Sequence, residues 1–180
     1  MVTLIACGIL ESELKKVVQE LETPLTIVIM PPQLHNDPSR LKRELAHQLS
    51  TIKNTKKVIY GKCFPDIDDV VKEYGAERIE GENCYEIVAG ELFRNLLREE
   101  PGTYFLLPYL CETFDELTGE LHIRELKDTY FRNYRRCVFL DTGVPCTTCE
   151  KVASKLGLPL HTVYTGTKIL KERVKTLLAK

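Results

Sequence analysis

Short apolar segments alternate with amphipathic segments along the whole chain, and this alternation limits its possible folds more than any other feature. The apolar segments have the length of strands, and the segments between them carry Leu, Ile and Val at helical spacing. Strands that alternate with helices favour a mostly parallel sheet, because each helix carries the chain back to start the next strand in the same direction. The predicted strands are Leu4–Cys7, Thr26–Met30, Lys57–Tyr60, Glu77–Glu80, Tyr104–Leu107, Cys137–Leu140 and His161–Tyr164.

We therefore expect an α/β fold, doubly wound and Rossmann-like, with a mostly parallel sheet of about seven strands and helices on both faces. No linker, repeat or low-complexity segment interrupts the pattern, so residues 1–180 are predicted to form a single domain. Between the fifth and sixth strands, helices are predicted near 113–120 and 124–135. The chain is 43% apolar and 28% charged, which is typical of a protein with a hydrophobic core.

The charge balance and the hydropathy pattern exclude two classes of partner. Lys and Arg number 25 and Asp and Glu number 26, so a strongly basic nucleic-acid-binding protein is excluded. No apolar run approaches the roughly 20 residues of a membrane-spanning helix, and the first residues do not resemble a secretory signal. We expect a cytoplasmic protein that binds neither nucleic acid nor membrane.

The cysteine content needs a physical explanation. In a reducing cytoplasm, cysteines serve as small buried hydrophobes, as ligands of a metal or iron–sulfur cluster, or as reactive thiols. The number of cysteines does not separate these roles, but their positions along the chain do. The seven cysteines are Cys7, Cys63, Cys84, Cys111, Cys137, Cys146 and Cys149.

Six of the seven cysteines follow a predicted strand, and only Cys137 stands at the beginning of one. Because the carboxyl ends of parallel strands share one edge of a sheet, cysteines distant in the sequence are expected to meet there. Cys7, Cys63 and Cys84, together with His35, would offer the ligands that zinc prefers, and cysteines alone would suit an iron–sulfur cluster. The alternative is that each of them is a packing residue.

A C-x-x-C motif, Cys146-Thr-Thr-Cys149, follows the sixth predicted strand and opens a helix. The positive end of a helix stabilises a thiolate, and the same spacing serves a metal site or a disulfide. Cys146 and Cys149 are therefore candidate metal ligands, with a redox switch and an inert pair as the open alternatives.

Two strand ends are candidates for contacts with an organic cofactor. Cys7 and Gly8 follow the first strand where a nucleotide-binding protein has a glycine-rich loop, although neither a P-loop nor a dinucleotide fingerprint is present. Asp141 and Thr142 follow the sixth strand and have side chains suited to a hydroxyl or a cation. The alternative for Asp141 is a role in turning the chain.

Several of these segments, taken in order, resemble the uncharacterised family DUF1638, which is common in methanogens and other anaerobes. The resemblance implies that Cys7, His35, Cys63 and Cys84 are recurrent positions of the family, although Phe64 stands where members often have glycine. Because members of the family accompany corrinoid-dependent methyltransferases, it also implies a corrinoid cofactor and corrinoid or methyltransferase proteins as partners. The segments are Cys7–Leu10, Leu34-His35, Asp37-Pro38, Tyr60–Cys63, Asn83–Glu86 and Pro101–Phe105.

Three functional hypotheses follow. The first is a zinc- or iron–sulfur-binding accessory protein of corrinoid-dependent one-carbon metabolism, with its cysteine-rich site at the carboxyl edge of the sheet. The second is a methyltransferase in which zinc activates a substrate thiol. The third is a metal-free module that binds a corrinoid or another small molecule at this edge.

Overall fold

The protein alternates strands and helices as the sequence predicts. A computed structural model describes residues 2–21, 23–118, 129 and 131–180. The strands are β1 Val2–Cys7, β2 Leu25–Met30, β3 Thr55–Ile59, β4 Glu77–Arg78, β5 Thr103–Leu106, β6 Arg136–Asp141 and β7 Leu160–Tyr164. The helices are α1 Glu11–Gln19, α2 Pro38–Thr51, α3 Ile67–Glu73, α4 Cys84–Ala89, α5 Glu91–Glu99, α6 Pro108–Glu112, α7 Phe114–Thr118, α8 Cys149–Leu156 and α9 Lys168–Leu178.

The strands form two parallel sheets, so the α/β class is confirmed while the single seven-stranded sheet becomes a pair. One sheet has the order β2-β1-β3-β4 and the other the order β5-β6-β7. The division has a physical cause in the length of β4, which pairs with β3 only through Glu77 and Arg78. So short an edge offers little backbone for a further strand, and β5 pairs along its whole length with β6.

The two sheets share one hydrophobic core. Alternate residues of a strand point to opposite faces of a sheet, and β5 and β6 of the second sheet carry buried residues on both faces. Phe105 and Val138 join the large core of the first sheet, whereas Leu106 and Phe139 face a smaller cluster that includes α8. Cys137, near the start of β6, is fully buried in this smaller cluster.

The region before β6 is only partly described. The helix predicted near 113–120 contains α7, Phe114–Thr118. Most of the helix predicted near 124–135 lies outside the described residues. Within the described part of the chain, none of the helices is both long and apolar enough to traverse a membrane.

A buried hydrogen bond connects α1 with the end of β6. Glu13 and Thr142 are 1% and 0% exposed, and the Thr142 hydroxyl donates to Glu13 Oε1 over 2.9 Å. Glu13 Oε2 has no hydrogen-bond partner among the described residues. Burial raises the pKa of Glu13, and hydrogen bonds from its own backbone N–H and from Thr142 oppose that rise. Thr142 thus stabilises the charged carboxylate across the boundary between the sheets.

We expect Thr142→Val to lower the free energy of unfolding by roughly 1–3 kcal/mol, because it leaves a buried acceptor without its donor. Since the folded pKa of Glu13 lies above its ordinary value of 4.5, the contribution of Glu13 to stability is full below that value. This contribution is lost as the pH rises through the folded pKa. Glu13 is more fully ionised at pH 7.5 than at pH 4.5, and the Thr142 hydroxyl stabilises the ionised form. Urea unfolding should therefore show that Thr142→Val loses more unfolding free energy at pH 7.5 than at pH 4.5.

Thr142→Ser retains the hydroxyl and serves as the matched control. Its unfolding free energy should depend on pH in the same way as that of the unsubstituted protein. Equal losses for Thr142→Val at the two pH values would contradict this role of the hydroxyl.

Candidate functional site

Four of the six predicted metal ligands lie at the carboxyl ends of the strands of the four-stranded sheet, one at each strand. Cys7 is the last residue of β1, and His35 lies in the 3-10 turn Pro32–Asn36 after β2. Cys63 follows β3, and Cys84 opens α4 after β4. Because all strand pairs of this sheet are parallel, the four residues lie at the same edge.

The side chains of these residues approach one another at that edge. Cys63 Sγ lies 3.9 Å from His35 Nδ1. Burial is the largest cause that raises the pKa of the Cys84 thiol, and the charges of Cys7 and Cys63 raise it further. Both residues therefore lie near Cys84. We call Cys7, His35, Cys63 and Cys84 the edge cluster.

Two glycines allow the loops of the edge cluster to come this close. A Cβ at Gly61, between β3 and Cys63, would lie 2.5 Å from the Cα of Asn83, directly before Cys84. A Cβ at Gly8 would lie 2.9 Å from the carbonyl oxygen of Met30 at the end of β2. Both contacts are with backbone atoms, so a larger residue would push the loops apart. Gly8, predicted as a cofactor contact, thus has a structural role.

Arg78 holds the ends of β3 and β4 together. Its side chain is 8% exposed, and its Nη1 donates to the carbonyl oxygens of Tyr60, Ile79 and Gly81 at 2.8–2.9 Å. Its Nε donates to Asp68 over 2.6 Å, so the buried charge has a partner. The positive charge also opposes the rise in the pKa of the Cys63 thiol that burial causes.

The thiols of the edge cluster are neutral near pH 7. Burial raises the pKa of Cys7 to about 11, with a further contribution from Cys63. Burial also raises the pKa of Cys63 and of Cys84. His35 is exposed as a residue, yet desolvation of its ring lowers the pKa of the imidazole. The cluster without a bound cation is therefore an uncharged set of soft donors.

Backbone groups near the three sulfur atoms oppose the effect of burial on the thiols. The backbone of Ile9 lowers the pKa of Cys7, that of Gly61 lowers the pKa of Cys63, and that of Tyr85 lowers the pKa of Cys84. In each case the backbone favours the thiolate. The loops are thus arranged to support negative charge on the sulfurs once a cation reaches them.

Tyr60 adds a polar group that is not among the site residues predicted from the sequence. It is 1% exposed, and its Oη has no hydrogen-bond partner within the described ranges. Burial raises the pKa of the Tyr60 hydroxyl, and the charges of Cys7 and Cys63 raise it further. The hydroxyl therefore faces these thiols. Its signals in the sequence were its place directly before Gly61 and its position in the family segment Tyr60–Cys63.

The strand-end residues Asp141 and Thr142 have contacts within the fold. Asp141 Oδ1 accepts the N–H of Gly143 over 2.8 Å, and the Asp141 carbonyl accepts the N–H groups of Thr165 and Gly166. Thr142 is buried against Glu13, as described above. These contacts account for both residues, and their role in cofactor binding stays a prediction.

The C-x-x-C motif lies at the second sheet and gains a third cysteine. Cys146 precedes α8 and Cys149 is its first residue. Cys111, Cys146 and Cys149 belong to the smaller apolar cluster of the second sheet. Cys111, in α6, was recognised in the sequence only as a strand-exit residue. Its place in this cluster depends on the pairing of β5 with β6.

In neither group of cysteines do the side chains, as they are oriented, surround a position for a metal ion. Among residues 2–21, 23–118, 129 and 131–180, no three His, Cys, Asp or Glu side chains are arranged to hold a metal ion.

A sequence comparison places the chain in a family. The model of DUF1638, a family described as proteins of unknown function, matches residues 29–174. The chain is a member of DUF1638. The part of the chain that matches DUF1638 includes His35, Cys63, Cys84 and the C-x-x-C motif, whereas Cys7 lies before it. No curated protein and no solved structure matches the chain. The family resemblance is thus confirmed, and it carries no established activity with it.

We expect Arg78→Lys to lower the free energy of unfolding by roughly 1–3 kcal/mol, because lysine keeps the charge but leaves backbone carbonyls at the cluster without a donor. Asp68→Asn removes only the negative charge of the ion pair, on a side chain that is 57% exposed. It should lower the free energy of unfolding by less than about 1 kcal/mol. Chemical unfolding of both variants measures the difference. A loss for Asp68→Asn that equals the loss for Arg78→Lys would assign the stabilisation to the ion pair instead.

Proposed function

We propose that this protein binds one zinc ion through Cys7, His35, Cys63 and Cys84 and serves as an accessory protein in corrinoid-dependent methyl transfer. The proposal rests on one observation: each of the four neighbouring parallel strands has one soft ligand at its carboxyl end, and these ends lie at the same edge. Three cysteines and one histidine form a donor set that is common for structural zinc. Iron–sulfur clusters more often take four cysteines.

The contacts at the edge support this fit. Tetrahedral zinc with bonds of about 2.3 Å to sulfur and about 2.0–2.1 Å to nitrogen holds the two donors about 3.6 Å apart. Cys63 Sγ and His35 Nδ1 lie 3.9 Å apart, so a small side-chain rotation brings them into position. Cys7 and Cys84 would complete the set by turning towards the same point.

The charges at the edge support a cation as well. Three thiols that are partly or fully buried cannot ionise together without a counter-charge, and a divalent cation supplies it. The backbone of Ile9, Gly61 and Tyr85 would then stabilise the thiolates. The unpartnered Tyr60 hydroxyl would gain a charged acceptor next to it.

Four protein ligands favour a binding role over catalysis. A zinc that activates a substrate thiol keeps an open position for the substrate, whereas four protein ligands close the site. We therefore prefer the accessory protein to the zinc methyltransferase. The link to corrinoid-dependent methyl transfer is what the resemblance to DUF1638 implies.

Zinc content is the first test of the proposal. Protein purified under anaerobic conditions should contain zinc that Cys63→Ser/Cys84→Ser loses, since the variant removes two of the four ligands. Competition with a chromophoric chelator should show affinity at least about tenfold weaker for His35→Gln, because loss of even an outer-shell partner costs about that much. Cys137→Ser, at a buried cysteine in the other sheet, should keep the zinc and serves as the matched control.

Circular dichroism of each variant establishes that it is folded. Zinc retained by folded Cys63→Ser/Cys84→Ser would contradict the proposal. A visible chromophore with iron and sulfide, lost in the same variant, would also contradict the zinc assignment. Folded metal-free protein that takes up a corrinoid would favour the small-molecule module instead.

A further inference from the structure

A groove lies between α1 and α9 at the carboxyl end of the second sheet. Tyr164, the last residue of β7, is paired with Asp141, the last residue of β6, so both strands end at this edge. The loop after β7 then leads directly into α9. The groove has a volume of about 520 Å³, which is within the usual range of small-molecule sites, roughly 300–1,000 Å³. The carboxyl edge of a parallel sheet is also where such sites form.

The groove carries an excess of positive charge. Four lysines and two glutamates line it. Two of the lysines pair with the two glutamates, at 2.8 and 3.3 Å. The other two, Lys16 and Lys168, have no carboxylate partner in the part of the chain that the structure describes. Two positive charges without a counter-charge favour an anionic ligand.

Thr167 brings a hydroxyl without a partner to the same groove. It is 9% exposed, lines the groove and stands as the N-cap residue of α9. A threonine at this position usually accepts an N–H of the first turn, but Thr167 makes no such bond. Its hydroxyl has no other hydrogen-bond partner among the described residues, and it is not sealed from solvent as Glu13 Oε2 and Tyr60 Oη are. The hydroxyl therefore opens into the groove.

The first turn of α9 adds backbone donors beside this hydroxyl. The helix has 11 residues, and the N-cap side chain does not satisfy its first N–H groups. Such N–H groups and the positive end of the helix bind anions, phosphate groups above all. Lys168, the first residue of α9, places one of the two unpaired charges at the same end.

Lys16 and Tyr164 lie around one point above the loop after β6. A Cβ at Gly143 would lie 3.2 Å from Lys16 Nζ and 3.9 Å from Tyr164 Oη. A Cβ at Gly166 would lie 3.2 Å from the same Tyr164 Oη. The Tyr164 ring is thus backed by the two glycine-containing loops, yet the residue is 73% exposed. An aromatic ring that is supported on one side and open on the other can stack on a planar group.

We propose that this groove binds a phosphate monoester that carries a planar ring, as a mononucleotide does. The phosphate accepts hydrogen bonds from the Thr167 hydroxyl and the first N–H groups of α9, while Lys16 and Lys168 balance its charge. The ring stacks on Tyr164. A phosphate monoester suits the groove better than a carboxylate, because its charge of about −1.5 to −2 matches two unpaired lysines and its three oxygens serve several donors. The site shares no residue with the edge cluster and does not depend on the zinc proposal.

Isothermal titration calorimetry with adenosine monophosphate and with inorganic phosphate tests the ring and the phosphate separately. Both ligands should bind, and adenosine monophosphate should bind roughly tenfold more tightly, because stacking on an aromatic side chain contributes about that much. Tyr164→Ala should remove this difference and still bind phosphate. Tyr164→Phe keeps the ring and serves as the matched control, in which the difference should persist.

Substitutions of the phosphate donors should weaken both ligands. Lys16→Gln and Thr167→Val should each lower the affinity roughly tenfold, because each removes a donor to a charged group. Lys151→Gln, at an exposed residue of α8 outside the groove, removes the same charge and should leave the affinity unchanged. Thr167→Val should not lower the free energy of unfolding of the ligand-free protein, because its hydroxyl has no partner to lose. Thr167→Ser, which keeps the hydroxyl, should retain the affinity.

Three outcomes would overturn the proposal. The first is no binding of either ligand at millimolar concentrations. The second is an equal loss of affinity in Lys16→Gln and Lys151→Gln, which would show a general effect of charge and no site. The third is equal affinity of the unsubstituted protein for the two ligands, which would exclude a ring on Tyr164. Cys63→Ser/Cys84→Ser should bind adenosine monophosphate as the unsubstituted protein does, so failure of the zinc proposal leaves this result unchanged.

Discussion

The parallel pairing of β1 to β4 is the constraint on which the edge cluster depends. The residue that follows a strand lies at the edge of the sheet where that strand ends, and neighbouring parallel strands end at the same edge. Residues separated by most of the first half of the chain, from Cys7 to Cys84, thereby come together without any local sequence motif. Arg78 then fixes the last two strand ends through three backbone carbonyls. Gly61 permits the close approach of their loops.

Electrostatics decides what chemistry this edge can support. Thiols that are deprived of water and face one another stay protonated, so the cluster without a cation is a poor nucleophile. The same thiols, beside backbone groups that favour the thiolate, become strong ligands when a cation arrives. Cys111, Cys146 and Cys149 form a separate group at the second sheet, and two of these three residues are half-buried.

The sequence predicted the features that depend on local pattern. The alternation of strands and helices and the position of cysteines after strands could be read directly, and the structure places Cys7, Cys63, Cys84 and His35 at one edge. The division into two sheets could not be predicted, because it depends on β4 being reduced to two paired residues.

Contacts between distant elements were also beyond the sequence. The burial of Thr142 against Glu13 and the grouping of Cys111 with Cys146 in one apolar cluster both arise from how the second sheet packs. Arg78 has no local feature that distinguishes it from the other basic residues on helix and strand surfaces. Its role becomes visible only when the carbonyls around it are known.

X-ray absorption at the zinc edge counts the atoms bound to the metal and so shows directly whether the edge cluster holds the zinc. The sample is zinc-loaded Cys146→Ser/Cys149→Ser protein, which keeps the edge cluster intact. Its spectrum should show three sulfur neighbours at about 2.3 Å and one nitrogen at about 2.0–2.1 Å. A first shell made only of nitrogen and oxygen would contradict it, since the metal would then lie away from the carboxyl edge of the first sheet.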